Sequence, residues 1–496
     1  MQDNNQNTNQ TKRYQVQEIS ENTGGTSPSD VMISPPVPQV STESQTNLPS
    51  GTIPFVPKKK RPKMLFIVLG LSILAIIIVI VLLFRKSGTT LLGTPGEIVW
   101  WGIQHEEVVY KPLIEEYQKQ NPNVKIIYQK QSAQDYRERL TNALAKGEGP
   151  DIFEIHSTWP HMFKNDLAPL PSSVMGQNEY NQTFYPVISS ALSLEGKAVA
   201  MPLEYDAITL YINEDIFASA IKKPPVTWVE LRDLADASKD GLTIREKEGR
   251  IIQSGAALGF TSNVDYWPEV IALMFMQNRV NPSKPNSELA GQVLSFYIEF
   301  RSLGTWDNTL PPSTIAFSRG NVAMYFGPTS RASDITRGNP SLKFRTVPLP
   351  QLPKNAPSDP NYSYATFWAH GVWERSRNKE AAWGFLKFLA QRESLENINS
   401  NIEELEGYPR TYPRPEMNIQ YRDDPILGSV VALVQESKNW YLADNTNDGT
   451  TGINSQLEQV FGQTINDWGS GGGVEKLNKL TNDVQAILSK YTIPLK

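Results

Sequence analysis

From Glu97 onward, strand-like and helix-like patterns alternate at short intervals, and this alternation limits the fold more than any other feature of the chain. EIVWW, beginning at Glu97, is a compact apolar strand. VVYKPLIEEYQKQNP has helical spacing and stops at Asn121-Pro122, where proline cannot continue a helix. VKIIYQ is a second strand, DYRERLTNALAKG a second helix closing on Gly147, and DIFEI a third strand. Such a succession predicts an α/β protein with a parallel sheet. Ligands bind beyond the carboxyl ends of strands in sheets of this kind. The stretches Trp101 to His105 and His156 to Trp159, which directly follow the first and third strands, are therefore the first places to look for a site. Downstream, TWVELRDLADASK and EAAWGFLKFLAQ read as helices and LKFRTVPLP as a strand.

Upstream of this region lies PKKKRPKMLFIVLGLSILAIIIVIVLLFRK, from Pro57 to Lys86. Met64 to Phe84 is apolar except for Gly70 and Ser72, and roughly twenty apolar residues is the length that spans a hydrocarbon core. A signal-peptide core is shorter and is followed by small residues, whereas Arg85 and Lys86 follow here, so the run is expected to be an uncleaved transmembrane helix over residues 64–84. Lys58, Lys59, Lys60, Arg61 and Lys63 precede it against two basic residues after it, which places the N-terminus in the cytoplasm and the C-terminal mass outside. Residues 1–63 form a polar tail rich in Asn, Gln, Ser, Thr and Pro, expected to be disordered and to end in the basic cluster. Residues 85–96 read as a linker. Cysteine is absent, which excludes disulfides, thiolate metal sites, a Cys nucleophile and a lipid-bearing Cys. Net charge is -5, with the densest basic cluster beside the apolar run, so no nucleic-acid partner is expected.

Several ordered motifs carry a further signal. LTNALAKGEGPDIFEI is followed by GKAVAMPLEYDAITLYINEDIF and PPVTWVELRDLA, then by FSRGNVAMYFGP, NKEAAWGFLKFLAQRE and EGYPRTYP. In this order and spacing, from Glu97 to Tyr491, the chain resembles the family 1 extracellular solute-binding proteins, the maltose-binding-protein-like receptors of sugar importers. The resemblance implies a two-lobed periplasmic-binding-protein fold with a ligand cleft between the lobes. Lobe 1 would take residues 97–205 and 346–389, and lobe 2 residues 206–345 and 390–496. It further implies a monomeric, membrane-anchored extracellular receptor that captures a small solute, a sugar or oligosaccharide, and delivers it to ABC permease subunits, with no cofactor and no bond made or broken. A ligand sensor with no transport role and a glycan-degrading enzyme are the alternatives.

A sugar cleft needs aromatic faces against the C–H faces of a pyranose, and polar groups for hydroxyls that cost about 1–3 kcal/mol each if buried without partners. Strand ends supply Trp101, Gln104, His105, His156 and Trp159, with alternation turning one of Trp100 and Trp101 into the core. The resemblance adds Asp206, where sugar receptors carry an acidic contact at the first lobe crossing, and Trp267 with Asn263 and Tyr266, at a Trp-Pro that lines the cleft in such receptors. It also adds Tyr325, Phe326, Trp368 and His370. Relatives continue with Trp after the Gly-Pro at 327–328; this chain has Thr329, which removes one expected stacking ring. Each candidate has a plainer reading as a cap, a core ring or a buried corner.

Other chemistry finds no pattern. The four His residues show no HExxH spacing, and without Cys no metal site is expected. DNTNDGTTGINS, from Asp444 to Ser455, begins like a calcium loop but has Thr446 at the third position and Ser455 at the twelfth, so it reads as a surface turn, one that could touch ligand from the second lobe. GSGGG at Gly469 lacks the Lys-Ser/Thr of a nucleotide loop and reads as a hinge before the final helix.

Overall fold

The computed structural model describes residues 96–354, 356 and 358–494. The polar tail, the expected membrane span at 64–84 and all but the last residue of the linker lie outside the described residues. Among the described residues no helix is long and apolar enough to cross a membrane.

The chain opens as its pattern predicts: β1 (Glu97–Gly102), α1 (Glu107–Gln120), β2 (Lys125–Lys130), α2 (Tyr136–Lys146) and β3 (Ile152–His156). β2, β1 and β3 are parallel neighbours. Beyond a helical stretch come β4 (Ala200–Met201) and β5 (Ile208–Asn213), then α3 (Trp267–Gln277), α4 (Glu288–Ser302), β6 (Met324–Pro328), α5 (Arg331–Gly338) and β7 (Phe344–Val347). β8 (Trp368–Val372), α6 (Lys379–Leu389), α7 (Arg392–Glu406), α8 (Ile453–Asp467) and α9 (Gly473–Lys490) complete the main elements.

Two sheets anchor two separate cores. The first sheet has the order β2-β1-β3-β8-β4, and it is mixed rather than wholly parallel: β8 runs antiparallel to both β3 and β4. The reason is topological. β8 returns from the other half of the molecule rather than through a local right-handed crossover, so the rule that favours parallel neighbours does not act on it. The second sheet, β6-β5-β7, is antiparallel.

Alternation along β1 places Trp100 fully inside, against Tyr110, Tyr128, His370 and Phe385, and leaves Trp101 half-buried on the opposite face. The first core runs through Ala207 and resumes at Ala365; the second begins at Ile208 and runs through Tyr364. The expected lobe limits shift accordingly. Val347 and Leu349 pack in the second core, and α7, assigned from sequence to the second lobe, buries Leu395, Ile398 and Ile402 in the first. Its apolar stripe at i, i+3 and i+7 fits the groove beside α1. Three segments cross between the cores, at 204–208, 363–367 and about 417–442, held together by a bridge of Ala207 with Ala365 and by pairing of Ser363 with Ser437, while Tyr205 bridges to Thr411 outside them.

Candidate functional site

The crossings frame a cavity of about 570 Å³ between the two cores. It is lined from the first side by Gln104, His105, Glu204, Glu406 and Arg410, and from the second by Tyr266, Ser330, Arg331, Asp334 and Asp444. Asp206 and Thr366 line it at the crossings, with His156 at the end of β3 and Trp368 at the start of β8.

The first wall is built on the turn after β1. Glu154, buried on β3, accepts from the backbone N–H groups of Ile103 (2.6 Å) and Gln104 (3.2 Å), which fixes the turn that presents His105. Burial raises the Glu154 carboxyl to about 7, against the pull of those two amides and of His105. His105 is only 5% exposed and lies between two carboxylates, Nε2 at 3.2 Å from Glu204 and Nδ1 at 3.1 Å from Glu406. Burial alone would strip its proton; Glu204 and Glu406 outweigh burial and raise the ring to about 9. His105 is therefore a cation at neutral pH. Arg410 closes the lattice through an ion pair with Glu406, and its Nε lies 3.9 Å from Glu204. Despite burial, His105 and Arg410 together hold the Glu204 carboxyl below its ordinary range.

The second wall uses carboxylates on backbone amides. Asp206 Oδ1 accepts from the Thr329 N–H (2.9 Å) and hydroxyl (2.7 Å), and Oδ2 from the Ser330 N–H (3.0 Å). The departure at Thr329 thus has a structural consequence. Where relatives are expected to carry a ring, this chain has a hydroxyl that ties the first crossing to the start of α5. Arg331 lies over the Tyr266 ring at 5.4 Å, donates to its hydroxyl, and pairs with Asp334 at 2.7 Å. Asp444 accepts from the Tyr266 N–H at 3.0 Å and donates its own N–H to Glu269 at 2.8 Å.

Six of the thirteen residues singled out from sequence line this cavity: Gln104, His105, His156, Asp206, Tyr266 and Trp368. Trp368 is the half-buried ring among them, standing edge-on to His156 and to Trp159 with centroids 5.2 Å away in both cases. The other seven lie elsewhere. Trp159 is fully buried directly beneath Trp368. His370 is buried in the first core, accepting from the Trp100 indole at 3.3 Å. Trp101 faces away and donates to Gln129 at 2.8 Å. Asn263 braces a loop through Trp306, Asp307 and Leu310. Trp267, Tyr325 and Phe326 pack in the second core, Phe326 stacked on Trp228 at 5.6 Å.

Sequence reasoning missed Glu204, Glu406, Arg410 and Arg331, while Asp444 falls in the loop it gave as able to touch ligand from the second lobe. Glu204 had a usable signal, since it precedes Asp206 by two positions in an extended crossing and so shares its face. Arg410 lies within EGYPRTYP and Arg331 three residues after Gly327-Pro328, both inside or beside motifs already marked. Among the described residues no group of three or more His, Asp or Glu is arranged to hold a metal ion. The calcium-like start at Asp444 resolves differently: Asp448 turns its carboxylate onto the Asn454 and Ser455 N–H groups at the start of α8.

The fold is similar to that of a cyclo/maltodextrin-binding protein complexed with maltotetraose, with a TM-score of 0.62 at 15% identity, covering 81% of this chain and 99% of that one. It is also similar to a cyclic α-maltosyl-1,6-maltose binding protein from Arthrobacter globiformis, with a TM-score of 0.63 at 15% identity, covering 80% and 100% of the two chains. By sequence the chain is 23% identical over 414 residues to a maltotriose-binding protein of Pyrococcus abyssi, covering 80% of this chain and 81% of that protein. It is 23% identical over 345 residues to a binding protein of Brucella abortus, covering 66% and 79%. A family model described as bacterial extracellular solute-binding protein matches residues 103–395, more than half of the chain, and the protein belongs to that family.

Proposed function

We propose that the chain captures a hydroxyl-rich solute, a saccharide or oligosaccharide, in the cavity between its lobes, and that lobe closure completes the site. The observation that carries this reading is the pairing of one presented ring, Trp368, with a dense set of charged hydrogen-bonding groups on both walls. Apolar C–H faces are covered by the ring, and hydroxyls are met by groups such as Glu204, Arg331 and Arg410, whose charge-assisted bonds are the stronger kind. Micromolar capture needs about 8 kcal/mol net, which several satisfied hydroxyls and one covered ring supply. The names of relatives that bind maltotriose or maltodextrins support a saccharide as the solute class.

The same reading gives residues 64–84 the role of anchor, tethering the receptor to the membrane where lipidation is unavailable for want of Cys. A tether raises the effective concentration of receptor at an ABC permease, its expected partner. The test is calorimetry on the full chain, recovered from the membrane fraction, against sugars, oligosaccharides, polyols and peptides. Saccharide binding is the expected result. Binding of another class with no saccharide response would overturn the reading, and recovery of the full chain from the soluble fraction would remove the anchor.

A further inference from the structure

The segment DNTNDGTTGINS, which reads from the sequence as a surface turn, ends near a buried amide with four hydrogen-bond partners. Asn454, at the start of α8, is fully buried. Its Oδ1 accepts from the Thr158 hydroxyl (3.0 Å), the Trp159 indole N–H (3.3 Å) and the Thr446 hydroxyl (3.1 Å), and its Nδ2 donates to the Tyr441 carbonyl at 2.7 Å. Thr158 and Trp159 follow β3 of the first lobe, while Ile453 and Leu457 on either side of Asn454 pack in the second core, so two of these bonds cross between the lobes. Arg137 on α2 runs a parallel tie, donating to the Asp448 carbonyl at 3.1 Å and the Thr451 hydroxyl at 2.8 Å. Gly452 keeps this loop tight, because a Cβ there would collide with the Asp448 carboxylate.

From Asn454 the bonds lead to the cleft. The Thr158 hydroxyl donates to Asn454, and its oxygen lies 2.8 Å from His156 Nδ1. On the other side of the ring, His156 Nε2 is hydrogen-bonded at 3.0 Å to the hydroxyl of Thr366, which lines the cavity. Burial lowers the His156 ring to about 3, so it stays neutral at ordinary pH. Trp368 rests edge-on against both His156 and Trp159, the two residues whose polar ends terminate, directly or through Thr158, at Asn454.

We propose that Asn454 is the positioning residue of the cleft: it mounts the ring Trp368 on the second lobe, so that ring pitch and lobe angle change together when a solute is enclosed. The proposal rests on the reading of the cavity as a solute cleft. Buried side-chain networks have few satisfied alternatives, which suits one that must register a rigid-body movement.

The test uses the absence of native Cys. In the full chain, Lys111→Cys on α1 and Lys479→Cys on α9, both exposed, carry spin labels that report the interlobe distance without any solute. In that background Thr158→Val removes the hydroxyl while keeping the shape, Thr158→Ser keeps the hydroxyl, Trp159→Phe removes the indole N–H, and Asn454→Ala removes the acceptor. Each is also titrated with maltotriose. The expected result is a broadened or shifted distance distribution in Thr158→Val, Trp159→Phe and Asn454→Ala, a wild-type distribution in Thr158→Ser, and maltotriose affinity weaker by about fivefold to tenfold in Thr158→Val. A packing role alone predicts the reverse order for Val and Ser. Unchanged distances in both Thr158→Val and Trp159→Phe, or a Ser variant that behaves like Val, overturn the proposal; these single-bond variants decide the matter even if Asn454→Ala fails to fold. If maltotriose does not bind the wild type, the saccharide reading suffers for that probe, and the distance measurement still decides the role of Asn454.

Discussion

The two walls of the cleft hold their charges in opposite ways. On the first, carboxylates meet cationic side chains: Glu204 and Glu406 grip His105, and Arg410 closes the set. On the second, two carboxylates meet backbone amides, Asp206 at Thr329 and Ser330 and Asp444 at Tyr266, with Asp334, paired to Arg331, the exception. A lattice of side chains can change its protonation and exchange partners for a solute. A carboxylate clamped on amides is part of the chain path, and its loss leaves donors that cannot move away. The difference separates groups that hold the molecule in shape from groups available to a ligand, although both kinds line the same 570 Å³ cavity.

Asp206→Ala is the strongest way to break that distinction. The substitution strands the Thr329 N–H, its hydroxyl and the Ser330 N–H at a site 8% exposed. Each stranded buried donor costs about 1–3 kcal/mol, and the open cavity lets water recover part of this, so a loss of about 3–5 kcal/mol is expected in urea unfolding. Asp206→Asn, which keeps one acceptor, should lose less. A variant that unfolds at the wild-type midpoint and only binds more weakly would make Asp206 a ligand group and erase the contrast between the walls.

That outcome bears on what the sequence could reveal. The strand–helix alternation through β3 was legible because each element carries its own period and stop signal, as at Asn121-Pro122 and Gly147. The antiparallel entry of β8 was not, since nothing local to WAHGV records that its chain arrives from the other lobe. The same limit governs the site. Gln104, His105 and His156 were readable from their strand-end placement, whereas the partners that make His105 a cation come from positions 204 and 406, joined to it only by the fold. Trp267 and Tyr325 misled for a related reason: the residue types that stack on sugars are those that fill cores, and period alone does not say which face of α3 or β6 is turned inward.

The side-chain lattice predicts an alkaline pH dependence of its own. His105 is raised from 6.5 to about 9, the two carboxylates outweighing the burial that opposes its charge. A folded-state value above the unfolded one contributes stability that is complete below about pH 6.5 and is lost as pH rises through about 9. The loss should approach about 3 kcal/mol at most. Glu154, raised to about 7 by burial, acts lower in the range, and Glu458, raised by burial to about 9, overlaps it. The measurement is therefore a difference: urea midpoints at pH 7 and 9.5 for the wild type against His105→Asn. The variant should show the flatter alkaline limb; equal slopes would mean that the ring between Glu204 and Glu406 is not charged in the folded state.

The smallest effects come from comparing two tryptophans that the sequence offered on equal terms. Trp368 is half-buried in the cavity wall, and its truncation to Ala removes the ring a solute would cover, worth about 1–2 kcal/mol of apolar burial, or about tenfold in affinity. Trp101 is also half-buried, yet its ring lies outside the cavity on the far face of β1, where its indole donates to Gln129 at a partly solvated edge. Trp101→Phe therefore gives up one exposed hydrogen bond, about 0.5 kcal/mol of stability, and should leave saccharide affinity within about twofold of the wild type. Calorimetry on the two variants separates strand-end position from cavity lining as the criterion for a site residue. If Trp101→Phe weakened binding as much as Trp368→Ala, a solute would have to reach around β1, and the walls compared above would no longer enclose the whole site.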